Sequence, residues 1–408
     1  MTMKARGIER VKSALIVLLI ISAAFFAYKT DLYTPLRSEP ENASEASASA
    51  NETLPAAYPD AIAVTGALGG RYGAIYDSAE IDNLWKLTSA TLGTALGTAG
   101  SSARVSDTTF RKALAGVGIY YHYRYPIPVS VLLKWLKVSG IREHNEVADL
   151  IFLAPNDSAE EDYTIAVYYR DKDGLLYKCD SSASMESLMP EINGIMSNGA
   201  FYPFESDSSN AVNPYILLPD NIAKLNTLTV SKSSVAAKDI LNALGMNPYL
   251  HTSYQEGNDC TVYVEEAVLL RLYNDGRLEF KSERPVAVID NSLSGSIERA
   301  RKLLVAVTQS DALRLVSYKW SENGYELRFS YYFNGIEIKP GNAATVTVKN
   351  GAVTDLRMSL HSYAVSEDEE VLLLPPRQAI AASGDENGTL YIVYAESGDR
   401  AIPIWLKS

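Results

Sequence analysis

Residues 323–335 read NGYELRFSYYFNG, and the alternation inside this stretch decides the fold. Tyr325, Leu327, Phe329, Tyr331 and Phe333 recur with a period of two, which places all five on one face of a β-strand. An Asn-Gly pair bounds the run on each side, Asn323-Gly324 and Asn334-Gly335. Asn and Gly tolerate the positive φ that a tight hairpin turn demands. Downstream, TVTV (345–348) and VTDLRMSL (353–360) bracket a third pair, Asn350-Gly351. The stretch predicts an antiparallel meander packed on a helix, for which 292–308 has the apolar spacing.

Working outward, the same theme recurs. Pro375-Pro376 opens a helix, RQAIAAS (377–383), before a final hairpin over 390–406. A helix over 234–244, ended by Gly245, precedes CTVYVEE (260–266) and LLRLYNDGRLEFKS (269–282). The latter turns at Asn274-Asp275-Gly276. A helix followed by an antiparallel hairpin or meander thus spans 234–281, 292–360 and 376–406. The fold class is α+β, and the spacing is too irregular for a solenoid. This half divides into a middle domain over 215–290, opening on the strand YILLP (215–219), and a C-terminal domain over 291–408.

An N-terminal folded domain covers 61–214. Short apolar runs broken by glycines (AIAVTGALGGRYGAIY, 61–76) lead to a capping box at Asp77-Ser78-Ala79-Glu80. Ile81, Leu84, Trp85, Thr88, Leu92 and Leu96 follow at helical spacing. A helix over 108–115 ends at Gly116, and the aromatic run VGIYYHYRYPIP (117–128) suits a strand. Pro128 is expected as the first helical residue of VSVLLKWLKVSG (129–140), with Val131, Leu132, Trp135 and Leu136 facing a core. Strands DLIFLA (149–154) and TIAVYYRDKDGLLYKC (164–179) follow, the second turning at Asp173-Gly174. A helix over 184–196, closed by Asn198-Gly199, completes the domain.

Ahead of the folded part lies SALIVLLIISAAFFAY (13–28), which carries no charge. Residues 1–12 hold Lys4, Arg6, Arg10 and Lys12 against Glu9, and that bias places this tail in the cytoplasm. Sixteen helical residues reach roughly 24 Å, short of the ~30 Å hydrocarbon core. Lys12 can snorkel and Tyr28 can sit at the far interface, which closes much of the gap. Ser22-Ala23-Ala24 offers a small-residue cleavage site, but the apolar run continues through Phe25 and Phe26, which favours an uncleaved transmembrane helix. Residues 29–60 form a flexible acidic linker of Ser, Ala, Glu, Asn and Pro. The chain of 408 residues has a net charge of −12, and the tail contributes +3 of opposite sign. An ectodomain so acidic is a poor partner for nucleic acid or anionic lipid.

No catalytic constellation is legible. Val64-Thr65-Gly66-Ala67-Leu68-Gly69-Gly70 resembles a dinucleotide-binding loop, but Tyr72 stands where its last glycine belongs. His122, His144, His251 and His361 lack metal-ligand spacing. The carboxylate runs 160–162 and 367–370 read as solvated turns between strands, and Ser294-Gly295-Ser296 as a helix cap. Cys179 and Cys260 fall in different domains and read as two buried thiols, with a disulfide as the alternative. No cofactor, metal or enzymatic activity is expected.

The residues with a family likeness are NALGMNPYLHTSYQEGNDCTVYVEE (242–266), LLRLYNDGRLEF (269–280), the 325–335 strand, the 346–353 hairpin and the closing 390–405 segment, whose ending is Ile402-Pro403-Ile404-Trp405. Together they resemble the YycH/YycI family of membrane-anchored regulators in Gram-positive bacteria, whose shared domain is similar to PepSY modules. FRKALAGVGIYYHYRYPIPVSVLLKWL (110–136) looks like the extra N-terminal domain that separates YycH from the shorter YycI. The resemblance implies regulation of the WalK (YycG) sensor histidine kinase, which governs cell-wall metabolism, partly through contacts between membrane helices. It also implies a heterodimer with a companion YycH/YycI-type regulator. In this chain Ala23 and Ala27 form a small-xxx-small pair and Ser22 adds a polar contact, a face suited to a partner helix. A rival reading is an extracytoplasmic module for a peptide or cell-wall ligand without kinase coupling, using a sheet edge or an inter-domain cleft.

Overall fold

The computed structural model describes residues 58–138, 147–156, 163–205, 212–222, 224–284, 290–340, 343–384 and 388–408. The tail, the 13–28 run with Ser22, Ala23 and Ala27, and the linker up to residue 57 lie outside them. Among the described residues no helix is long and apolar enough to cross a membrane.

Seven strands form the first sheet: β1 (Ala61–Thr65), β2 (Arg71–Ile75), β3 (Ala103–Arg104), β4 (Gly118–Pro128), β5 (Val147–Pro155), β6 (Thr164–Asp171) and β7 (Leu176–Ser184). Their order is β2-β1-β4-β5-β6-β7-β3, and every neighbouring pair is antiparallel. Helix α1 (Ser78–Gly97) covers one face and α2 (Asp107–Ala115) the other. Ile119, Tyr121, Ile151 and Leu153 join the α1 core, while Tyr120, Leu150 and Phe152 join the α2 core. Strands buried on both faces need apolar residues at every position, which is why β4 and β5 show no alternation. All six residues predicted for the inner face of α1 are buried.

The second sheet has thirteen strands: β8 (Leu225–Lys232), β9 (Thr252–Glu256), β10 (Cys260–Glu265), β11 (Val268–Tyr273), β12 (Arg277–Ser282), β13 (Leu313–Ser321), β14 (Gly324–Phe333), β15 (Ile336–Lys339), β16 (Ala344–Lys349), β17 (Ala352–Ser359), β18 (His361–Val371), β19 (Leu390–Ser397) and β20 (Arg400–Lys407). They run β18-β8-β20-β19-β15-β14-β16-β17-β12-β11-β10-β9, with β13 on the other side of β14. The β15–β19 pair is parallel and the other pairs are antiparallel. Leu327, Phe329 and Tyr331 of β14 are buried in the core of this sheet, with Tyr325 and Phe333 packed at its margin, as the alternation requires. Asn334 (φ 48°) with Gly335 (φ 81°), and Asn350 (φ 50°) with Gly351 (φ 80°), make left-handed hairpin turns.

Three short helices, α3 (Val129–Trp135), α4 (Met189–Gly194) and α5 (Ala237–Ala243), precede α6 (Leu293–Thr308) and α7 (Pro376–Ala382). Helix α3 joins the two layers. Val131 enters the core of the second sheet, Leu132 and Leu133 enter the α1 core, and Trp135 packs against both. The fold is mixed α+β on antiparallel sheets.

Several expectations fail for identifiable reasons. Pro128 ends β4 as the N-cap of α3 (ψ 129°) instead of starting the helix. The helix expected over 184–196 shrinks to a 3-10 turn, Glu186–Leu188, and α4, because β7 runs on to Ser184 and Pro190 sits in the first turn of α4. Asn198 does not close that helix; its side chain bridges the Gly73 N–H and carbonyl of β2 at 3.0 and 2.9 Å. YILLP is not a strand. Tyr215 and Leu217 join the α2 core while Ile216 and Leu218 join a cluster with α7. Ser292, not Ser294 or Ser296, caps α6, its Oγ accepting the Gly295 N–H at 3.1 Å. The acidic run 367–370 lies inside β18, not in a turn, and the β18–β8 register slips across it.

Candidate functional site

The two sheets meet along a polar seam that begins where β4 loses its partner. β4 pairs with β5 up to His122 and resumes only at Ile127. The Arg124 N–H in this gap donates to Asp60 Oδ2 at 2.7 Å, and the Asp60 N–H donates to the His122 carbonyl at 2.8 Å. The residue just before β1 therefore extends the β1 edge of β4 past His122, on the side away from β5.

From the second sheet, β15 presents Glu337, whose side chain is fully buried. Tyr125 donates its hydroxyl to both Glu337 oxygens at 3.0 Å, Arg124 Nε lies 3.1 Å away, and Lys339 Nζ lies 2.7 Å away. Lys339 also donates to the Tyr125 hydroxyl at 3.1 Å. The Arg124 guanidinium stacks 4.2 Å from the Tyr391 ring centre on β19. Burial opposes the Arg124 charge, but Glu337 reverses that and holds its pKa above the ordinary value. Two more contacts fasten the seam. The Tyr76 hydroxyl accepts the Ile392 N–H at 3.1 Å, and Asn334 Oδ1 accepts the Ser78 N–H at 3.2 Å.

Beside the seam lies a cleft with about 650 Å³ of empty space, including its open mouth. Tyr58, Asp60 and Tyr123 form one wall, and Arg314, Phe329 and Tyr332 the other. Arg314 sits between two rings, 5.3 Å from the centre of Tyr58 and 4.7 Å from that of Tyr332. Its Nη1 is 3.9 Å from Asp60 Oδ1, beyond hydrogen-bond range, and makes no hydrogen bond although buried. The Tyr123 hydroxyl is likewise buried without a partner. Burial raises the Asp60 carboxyl above its usual range, against the pull of Arg314 and Arg124. Arg301 and Asp311 at the rim pair at 3.1 Å.

The residues singled out from sequence fall elsewhere. Ser22, Ala23, Ala27, His144 and residues 160–162 lie outside the described residues. His122 is buried between Tyr120 and Tyr391, and burial, with the Arg170 and Arg124 charges, lowers its pKa to about 3. His251 Nδ1 meets the Asn247 carbonyl and His361 Nδ1 faces Glu396 at 3.3 Å. The glycine run 66–70 is the turn of the β1–β2 hairpin. Glu369 pairs with Arg400 and Glu370 with Lys224. Cys179 and Cys260 are both buried thiols, and the Cys179 Sγ–H points to the Val167 carbonyl at 3.7 Å. Spacing could not reveal the seam, because its members come from positions 60 to 392; the local signal was the Tyr-Arg-Tyr at 123–125.

No protein-family model matches the chain, and no curated protein matches it. Among solved structures, YycH from Bacillus subtilis is similar over 87% of this chain and 94% of that chain, with a TM-score of 0.59 and 15% identity. An uncharacterized protein from Eubacterium rectale overlaps 48% of this chain and 79% of that chain at 10% identity; its TM-score of 0.31 is too low to bear on the fold. Over 87% of its length, the chain has a YycH-like fold.

Proposed function

We propose that this protein is a membrane-anchored extracytoplasmic regulator that binds and modulates a WalK-type sensor histidine kinase. The observation that carries the reading is the YycH-like fold over 87% of the chain. The basic tail and uncharged run of 1–28 support it from the sequence side. In this reading, 13–28 crosses the cell membrane once with the N-terminus inside, and Ser22, Ala23 and Ala27 face a helix of the kinase. The recurring helix-and-meander units are PepSY-like, and a companion YycH/YycI-type regulator completes a heterodimer. The protein turns over no substrate. It shifts the populations of kinase conformations by binding one of them more tightly.

The test is a kinase-dependent reporter in cells carrying the full chain, residues 1–37 alone, or residues 38–408 on an unrelated span. Regulation by the full chain, restored at least in part by 1–37, is expected. Loss of any reporter response with the full chain present would overturn the proposal. The rival, a peptide- or wall-ligand module, draws on one feature: the edge strand β9, all five residues of which are exposed beside exposed Tyr249 and Leu250. Such an edge can accept an added strand. That reading gains if the span can be exchanged freely.

A further inference from the structure

The last strand of a sheet leaves a row of backbone N–H and carbonyl groups without a ladder partner, and proteins guard such rows against stray pairing. Of the terminal strands β2, β3, β18 and β9, the first three are guarded. On β2, Asn198 takes up the Gly73 N–H and carbonyl, and its own N–H reaches the Arg71 carbonyl at 3.1 Å. β3 is two residues long. β18 carries the acidic run and a slipped register. Off the main path, β13 is bulged between Leu315 and Ser317. β9 has none of these devices. It pairs with β10 without a bulge, holds no Lys or Pro, and its one charge, Glu256, is tied to Arg271 at 2.7 Å. Tyr249 (76% exposed), Leu250 (77%) and Tyr254 (49%) gather just ahead of the strand and on it. Apolar side chains clustered along a bare edge mark an interaction surface.

We propose that β9 is a dimerisation edge, pairing antiparallel with β9 of a second copy of this chain about a two-fold axis at Tyr254. The strand's own sequence selects this occupant. In that register Thr252 faces Glu256 of the second copy, Ser253 faces its Gln255, and the two Tyr254 rings meet. No like charges stand opposite one another, although the chain carries −12. The two-fold pairing also covers both bare edges at once and stops at two copies. A five-residue strand pair is small for a specific interface, so the dimer should dissociate in the micromolar range. The inference does not rest on the kinase reading, and it assigns to a second copy the edge that the rival reading assigns to a peptide.

Sedimentation equilibrium of the purified full chain in neutral detergent tests it, alongside Tyr254→Lys, Tyr254→Glu and an equimolar mixture of the two. The parent is expected to dimerise at micromolar concentration. Either variant alone sets like charges face to face and loses the ring contact, which should weaken the dimer about tenfold or more. The mixture sets opposite charges face to face and should recover most of the affinity, as no misfolded variant could. A parent that stays monomeric into the submillimolar range overturns the proposal and returns the edge to the peptide reading. It is equally overturned if both variants dimerise as tightly as the parent, which would move the contact elsewhere, or if the mixture associates no better than its components.

Discussion

A fully buried carboxylate persists only when partners replace the water it has lost, and Glu337 has three: Arg124, Lys339 and Tyr125. Removing it strands Arg124 and Lys339 at the seam. Glu337→Ala should therefore destabilise the protein by about 3–5 kcal/mol in urea denaturation, and Glu337→Gln, which keeps an acceptor, by less. A loss under about 1 kcal/mol for Glu337→Ala would mean that the seam contributes little. His122 supplies a pH dependence. Its folded pKa is lowered to about 3, whereas the unfolded chain takes up that proton near the ordinary value of about 6.5. Between those values the unfolded state binds more protons, so stability is full above about pH 6.5 and falls as the pH drops toward about 3. The slope reaches at most about 1.4 kcal/mol per pH unit. Denaturation midpoints of His122→Phe across this range should show a flatter limb than the parent, and an equal slope would assign the acid sensitivity to other groups.

Helix α1 is started by two separate devices. Asp77 Oδ1 accepts the Ala79 and Glu80 N–H groups at 2.9 and 3.1 Å, and Asn334 from the second sheet takes the Ser78 N–H. Asn334→Gly keeps the left-handed turn but deletes the second device. It should cost about 1 kcal/mol and speed hydrogen exchange in the first turn of α1, leaving the β14–β15 hairpin protected. Unchanged exchange there would show that Asp77 suffices. Elements with a strong local signal were legible: the 325–333 alternation, the Asn-Gly turns and the apolar stripe of α1. The strands that were not legible lack such a signal. β9 is exposed on both faces, so it has no period, and β18 carries the acidic run 367–370 within a slipped register. YILLP misleads for the opposite reason: its residues are apolar because two separate clusters receive them, not because they pair in a ladder. β8 and β13 went unseen because polar side chains interrupt their alternation, and neighbouring strands, not their own pattern, hold them.

At the scale of the molecule, α3 and the seam bind the two sheets into one cooperative body. Trp85 reports the first core and Trp135 the junction, so tryptophan fluorescence and far-UV circular dichroism should follow one coincident unfolding transition. Two resolved transitions would show that the sheets melt separately. Tyr58 and Asp60 stand at the beginning of the described residues and also form a wall of the cleft. A pull on the chain ahead of them therefore loads the Asp60 bonds to Arg124 and His122 before it reaches the ladder of β1. Tension applied ahead of Tyr58 would register first as a change in the shape of the cleft, which makes Asp60, Arg124 and His122 a mechanical lever on that cleft.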